Sequence, residues 1–258
     1  MVPSLGRVVA FASLLVATPA WAIDWTVGAG VGYAPDYQGS ADYVAVPLWD
    51  LRAGDLYAPT TYLDLFVTKL TSNLLPHPHL RLGPMVEYIP KRGHVENRAV
   101  DDLQNVDPAV MLGILLGWDF ITEPAQAFGI ELQARGDVAN GHGYLITPAV
   151  RLRRILVGRL TVAGALVATY ASDDYMSDYF GIDGTDAARS GLDQYDADAG
   201  FKDTGLDLSL GFGQGLGWGA SLIAQYRRLL NDAGDSPIVK DEGDRDQYFA
   251  GAMVSYRF

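Results

Sequence analysis

The carboxy-terminal stretch 247–258, QYFAGAMVSYRF, constrains the fold of this chain more than any other. It alternates residue by residue. Tyr248, Ala250, Ala252, Val254, Tyr256 and Phe258 fall on one face of an extended chain, and Gln247, Phe249, Gly251, Met253, Ser255 and Arg257 on the other. The first face is apolar and carries aromatics at both ends. The second is mixed and holds a charge near its end. A strand of this length, apolar outside, polar inside and aromatic at its ends, is what a transmembrane β-barrel requires. A half-buried strand of a soluble sandwich carries the same period, so the rest of the chain has to decide.

The period recurs. Trp25, Val27, Ala29, Val31 and Tyr33 oppose Thr26, Gly28, Gly30 and Gly32. A strand follows over 43–51, with Pro47 inside it as the expected seat of a bulge or irregularity. Short strands are expected at 56–58 and 61–69, then at 80–88. Val110, Leu112, Ile114, Leu116, Trp118 and Phe120 form the clearest apolar face, opposite Gly113, Gly117 and Asp119. Further strands are expected near 128–135, 144–153, 159–170, 205–212 and 217–227. The count is twelve with 56–58 included. Ten is the alternative if two weak segments drop out. An up-and-down barrel with both ends in the periplasm needs an even number. Working back from the last strand, stretches 231–245, 172–200, 136–143 and 90–107 then face outward. The turns 213–217, 154–158, 121–125 and 70–78 face inward. Long connections outside and short ones inside match bacterial barrels. The fold class is therefore all-β, an antiparallel up-and-down transmembrane barrel.

Composition agrees. The chain has 258 residues, enough for one barrel domain, and no Cys, which excludes a disulfide framework and thiolate metal sites. The 31 acidic against 19 basic residues give a net charge of −12, which argues against nucleic acid as a partner. Mean hydropathy is only +0.07, because a barrel places apolar residues at every second strand position. Arg7, the apolar run 8–16 and Ala20-Trp21-Ala22 read as a cleaved secretory signal, residues 1–22, ahead of one barrel domain, 23–258.

The inward face carries many charges: Asp50, Arg52, Asp64, Arg81, Glu87, Asp119, Glu131, Arg135, Arg151, Arg153, Arg159, Asp207, Arg227 and Arg257. Such charges either line a water-filled path or pair across the interior and fill it. Barrel size alone leaves both open. His77 and His79 share a strand face but lack a third ligand in sequence, so neither metal nor other cofactor is expected. Ser177, Ser190, His94 and His142 carry no nucleophile motif, and no enzymatic activity is expected. Stretch 172–200 holds eight Asp and one Arg. Its Asp spacing matches no calcium loop. A solvated acidic surface is the plain reading, and a cation or partner site the functional one. Tyr175, Tyr179, Phe180 and Tyr195 give it the means to pack over the barrel mouth.

Specific words then carry a resemblance. They are PDYQGS at 35–40, Asn105-Val106-Asp107, Gly141-His142-Gly143 and YMSDYFGI at 175–182, which includes Gly181. Ser190-Gly191, Tyr195 and Phe201-Lys202-Asp203 follow, and then the run 228–238 with Asp232, Ser236 and Pro237. Together they resemble the MipA/OmpV family, the MltA-interacting proteins, over essentially the whole mature chain. The stretch 90–107 departs from the family, with Val-Asp-Asp-Leu where a more Gly-containing run is expected. The resemblance implies a barrel of the bacterial outer membrane in contact with its lipid, with Phe258 as the assembly signal. It also implies a non-enzymatic scaffold joining a lytic transglycosylase to a peptidoglycan synthase in the periplasm. The alternatives are a small passive, porin-like channel, which the charged interior motivates, and a surface adhesion barrel using 172–200.

Overall fold

The computed structural model describes residues 23–123, 125–156, 160–213 and 215–258. The expected signal 1–22 and the inward charge Arg159 lie outside them. Twelve strands form: β1 (Asp24–Pro35), β2 (Tyr43–Gly54), β3 (Tyr62–Phe66), β4 (Lys69–Asn73), β5 (Leu80–Ile89), β6 (Ala109–Glu123), β7 (Gln126–Asp137), β8 (Tyr144–Ile155), β9 (Leu160–Ala171), β10 (Gly200–Phe212), β11 (Gly217–Leu229) and β12 (Asp246–Arg257). Each pairs antiparallel with its chain neighbours, and β12 closes on β1. The closing register runs from Thr26 opposite Arg257 to Tyr33 opposite Ala250. Closure leaves neither β1 nor β12 as an edge strand, as a hydrocarbon environment favours. No helix among the described residues is long and apolar enough to cross a membrane; the crossing belongs to the strands.

The alternation sorts each strand. On β6, Leu112, Ile114, Leu116, Trp118 and Phe120 are exposed outward, while Ala109, Met111, Leu115 and Gly117 are buried inside. Aromatic pairs ring both ends. Tyr33 stacks on Tyr43 at 5.5 Å and Tyr226 meets Tyr248 at 5.3 Å near the outer end. Phe120 meets Phe128 at 5.8 Å and Trp218 meets Tyr256 at 5.2 Å near the periplasmic end. Such rings sit at membrane–water boundaries, where one side of the aromatic is apolar and the other wet.

Two expectations need correction. Residues 56–58 form no strand, and 61–73 is a short hairpin, β3 and β4, turning at Val67 and Thr68. The total of twelve stands, but the hidden turn supplies the strand that 56–58 does not. Val67 adopts φ 50°, unusual for a β-branched residue. The Val67 N–H donates to the Trp49 carbonyl at 3.0 Å, and Trp49 Nε1 donates back to the Val67 carbonyl at 2.7 Å. Pro47 produces no bulge, since the β1–β2 register runs unbroken from Asp24–Gly54 to Pro35–Tyr43. Beyond Asp50, β2 has no strand partner on its other side, because β3 pairs only with Asp50–Gly54. The missing Pro47 donor falls on that open edge, where proline costs nothing in the ladder.

The outward connections fold. They carry α1 (Arg98–Asp101), α2 (Asp173–Phe180), α3 (Gly184–Ser190), α4 (Asn231–Asp235) and α5 (Pro237–Lys240). The Asp spacing in 172–200 follows from these helices. Asp173, Asp174 and Asp186 sit in first turns, where the helix dipole favours negative charge. Ser172 caps α2, and Asp183 caps α3 through the Thr185 and Asp186 amides. Gly191 ends α3 at φ 79°, a left-handed cap suited to glycine.

Candidate functional site: a capped mouth over a paired inner wall

The described hydrophobic core lies mostly in the outer connections rather than in the staves. One cluster joins Val106, Met111, Leu145, Tyr175, Met176, Tyr179, Phe180, Leu229 and Val239. A second joins Tyr37, Val100, Leu103, Ile182 and Ile238. Phe180 and Ile238 have no exposed surface. Five outer connections therefore meet in one cap, and polar bonds fix their order. The Ser236 hydroxyl donates to the Phe180 carbonyl at 2.6 Å. Arg92 Nη1 donates to the Tyr179 carbonyl at 2.7 Å. His142 Nδ1 meets Asp178 at 2.6 Å. The Tyr195 hydroxyl donates to the Asp232 carbonyl at 3.1 Å, and the Asp232 carboxylate accepts from the Asp198 amide at 3.0 Å. Gln247, on the inward face of β12, accepts from Gly39 N at 3.1 Å and donates to the Ser40 carbonyl at 3.0 Å. Gly39 has φ +98°, and a side chain there would strike Val239. Burial pushes the Tyr37 and Tyr195 hydroxyls up to about 12 and holds Tyr175 and Tyr179 further above the ordinary phenol value.

Beneath the cap, ion pairs and hydrogen bonds run along the inner wall of β4 to β8, several of them between strands that are not neighbours. Arg81 on β5 reaches Glu131 on β7 at 2.6 Å and Asp119 on β6 at 2.9 Å. Glu131 also pairs with Arg151 on β8. Arg135 on β7 meets Glu87 on β5 at 2.6 Å. Lys69 on β4 donates to Gln133 on β7 at 2.7 Å and lies 3.9 Å from Glu87. Gln133 in turn donates to Glu131 at 2.7 Å. The network is continuous from Arg151 to Arg135. Gly117 makes room for it, because a Cβ there would stand 2.6 Å from the Arg81 guanidinium. Further up, Lys202 pairs with Asp203 and donates to Gln38 at 3.2 Å, and Gln38 donates to the Tyr175 hydroxyl at 2.8 Å. That chain ties the lumen to the cap.

The other inward charges sit at their own places. Asp64 pairs with Arg52 at 2.6 Å, Asp207 with Arg227 at 2.7 Å, and Arg257 with Asp24. Arg153 is exposed at the periplasmic rim and has no carboxylate within 4.0 Å among the described residues. In the cap, Gly181 ends α2, Ser190 donates to the Asp186 carbonyl at 2.7 Å, Gly191 ends α3 and Pro237 opens α5. Phe258 lies at the periplasmic end, its amide bonded to the Trp25 carbonyl at 3.0 Å. His77 and His79 flank Trp118 in the periplasmic turn at 6.2 and 5.8 Å. No group of three metal-ligand side chains occurs among the described residues.

Lys69 and Lys202 escape the alternation. Read as one strand over 61–69, Lys69 shares the face of Leu63, Leu65 and Val67; the hidden turn puts it inside. A charge predicted to face lipid was the available signal of that turn. Lys202 and Asp203 both point inward because the β9–β10 register shifts between Phe201 and Asp203, a bulge that no period-2 reading shows.

The comparisons with known proteins agree with this architecture. The family model of MltA-interacting protein MipA matches residues 27–258. The chain belongs to the MipA family. Two relatives of this MipA-family chain are YiaT of Escherichia coli O157:H7 and YiaT of Escherichia coli K12, outer membrane proteins by name. Each is 27% identical over 259 residues, 98% of either chain. Among solved structures the NanC porin is similar at a TM-score of 0.45 and 10% identity, covering 92% of this chain and 100% of its own. The fold rests on the strand pairing described above. With its aromatic rings and outward apolar faces, this MipA-family barrel is a protein of the bacterial outer membrane.

Proposed function

We propose that this chain is a non-enzymatic barrel that offers a docking surface at the outer membrane rather than a route through it. The observation that carries the reading is the lumen. Guanidinium–carboxylate pairs bridge non-adjacent strands beneath an apolar cap. Charges that neutralise one another at 2.6 Å do not select or conduct a passing ion as unpaired rings do. A barrel capped at its outer mouth acts through its ends. The periplasmic end exposes Tyr57, Leu156 and Leu216 in its turns, and Arg153 and Arg154 at the end of β8. Apolar groups interleaved with cations suit a protein partner of opposite charge. The family name points to a lytic transglycosylase as that partner. The cap holds a His142–Asp178 dyad, but the neighbouring Ser172 hydroxyl accepts the Tyr144 amide at 2.9 Å instead of meeting the imidazole.

The test pairs two measurements on the refolded mature protein. Immobilised barrel should enrich a lytic transglycosylase from periplasmic extract, and planar bilayers should show no discrete steps. Conductance steps at any salt would move the assignment to the porin-like channel, and loss of enrichment would remove the scaffold.

A further inference from the structure

We propose that the lipid-facing surface of β5 to β9 is a phospholipid site, with an acyl chain lying in an oblique groove and the phosphate at His77 on the periplasmic rim. The inference stands apart from the docking role and rests on different residues.

The groove holds about 870 Å³, and strand register builds it. One row of paired, apolar residues crosses five strands: Leu80, Trp118, Ile130, Val150 and Leu166. The next row toward the outer surface steps down in size, from Leu132 to Pro148 to Ala168. Leu166, 62% exposed, stands proud beside the small Ala168. Pro148 also interrupts the sheet. Its pairing with β7 is continuous, opposite Leu132. On the β9 side the ladder passes from Ile146–Tyr170 to Ala149–Val167 without Thr147 or Pro148. Proline has no N–H to give, so the ladder lapses there, at the deep end of the groove.

Direction identifies the occupant. Leu80 is the first residue of β5, at the periplasmic rim, whereas Leu166 is the seventh of twelve in β9, near mid-membrane. The row climbs from the rim into the hydrocarbon over about 19 Å, four inter-strand spacings, which matches one leaflet of a core about 30 Å thick crossed obliquely. At the rim the surface turns polar. His77 Nδ1 accepts the His79 amide at 3.1 Å and the Leu80 amide at 2.8 Å, so the ring hydrogen sits on Nε2. His77 is exposed, and its ring lies 6.2 Å from that of Trp118, which lines the groove. A headgroup phosphate at the rim accepts the Nε2–H. A second copy of the barrel fits the groove less well. Two-fold contact sets the same patch against itself, and a groove facing its own copy leaves a void. A flexible chain fills it.

The experiment uses the refolded mature barrel in mixed micelles with phosphatidylethanolamine, stripped of detergent in native mass spectrometry. One phospholipid should stay on each barrel. Ala168→Phe puts a ring into the groove and should cut the retained lipid about tenfold, while Ala224→Phe, on the exposed face of β11, should leave it unchanged. His77→Ala keeps the groove and should weaken retention by a smaller factor, for the phospholipid but not for diacylglycerol, which lacks the phosphate. It keeps the test alive if Ala168→Phe fails to fold. A second arm substitutes lipopolysaccharide. No retained lipid, equal retention by wild type and both groove variants, or preference for lipopolysaccharide overturns the site, as does a lipid-free dimer that Ala168→Phe disperses.

Discussion

The cap and the staves are built on opposite rules. The cap buries Phe180, Tyr175, Met176 and Ile238 and turns Asp173, Asp174 and Asp183 outward, as a small water-soluble domain does. The staves expose Leu112, Ile114, Val254 and Trp218 and turn Arg81, Glu131 and Glu87 inward. Each rule answers its own solvent. Water drives the cap together through its apolar area, whereas lipid demands that every backbone group of the staves be satisfied within the sheet. Hence the cap should fail by losing packing, and the lumen by losing a charge partner.

Alkali should separate the two regions most completely. The unfolded phenols ionise near 10, whereas burial places Tyr37 at about 12 and Tyr175 and Tyr179 higher. Their contribution is complete below pH 10 and is lost as pH climbs through 12 and beyond. Protease access to the outer connections should therefore rise over that range, while circular dichroism of the barrel stays unchanged. Coincident loss of both signals would show one cooperative unit.

A single cap substitution comes next. Phe180→Ala removes a side chain with no exposed surface and should cost about 3–5 kcal/mol. Hydrogen exchange of the α2 amides should accelerate while β6 and β7 stay protected. Glu131→Gln attacks the lumen instead. It leaves Arg151 facing a neutral amide and Arg81 with Asp119 as its remaining carboxylate, and about 1–3 kcal/mol of destabilisation is expected. The urea midpoint of the whole barrel should fall, and an unchanged midpoint would mean that the network fills space without bracing it. Ser236→Ala should cost about 1–3 kcal/mol by orphaning the buried Phe180 carbonyl, read as local exchange at α2. Arg52→Gln breaks a half-exposed pair with Asp64 and should change stability by less than about 1 kcal/mol.

The staves were readable because a period of two is local. Each outward Leu or Val on β6 and β12 could be named from spacing alone, and long against short connections oriented the barrel. The reading failed where pairing is not local. No turn residue marks Val67 and Thr68, since neither is Gly, Asn or Pro, and the one local hint is Lys69, which a straight strand would turn toward lipid. The turn holds because Trp49, eighteen residues earlier, bonds both backbone groups of Val67. The cap was half legible. Its aromatics stood out in 172–200, but helices of four to eight residues are too short to show a 3.6-residue period.

By itself, the sequence determined the barrel and its family, because alternation is set by near neighbours, but it reached twelve strands through a segment at 56–58 that forms none. Tertiary structure alone decided which charges pair. Arg81 and Glu131 stand fifty residues apart and meet because the registers of β5, β6 and β7 set both opposite Gly117. It also decided that Tyr37, His142, Tyr179 and Ser236, scattered over about two hundred residues, share one cap. Register is fixed by pairing between strands well separated in the chain, and the contacts it creates leave no local trace in the sequence.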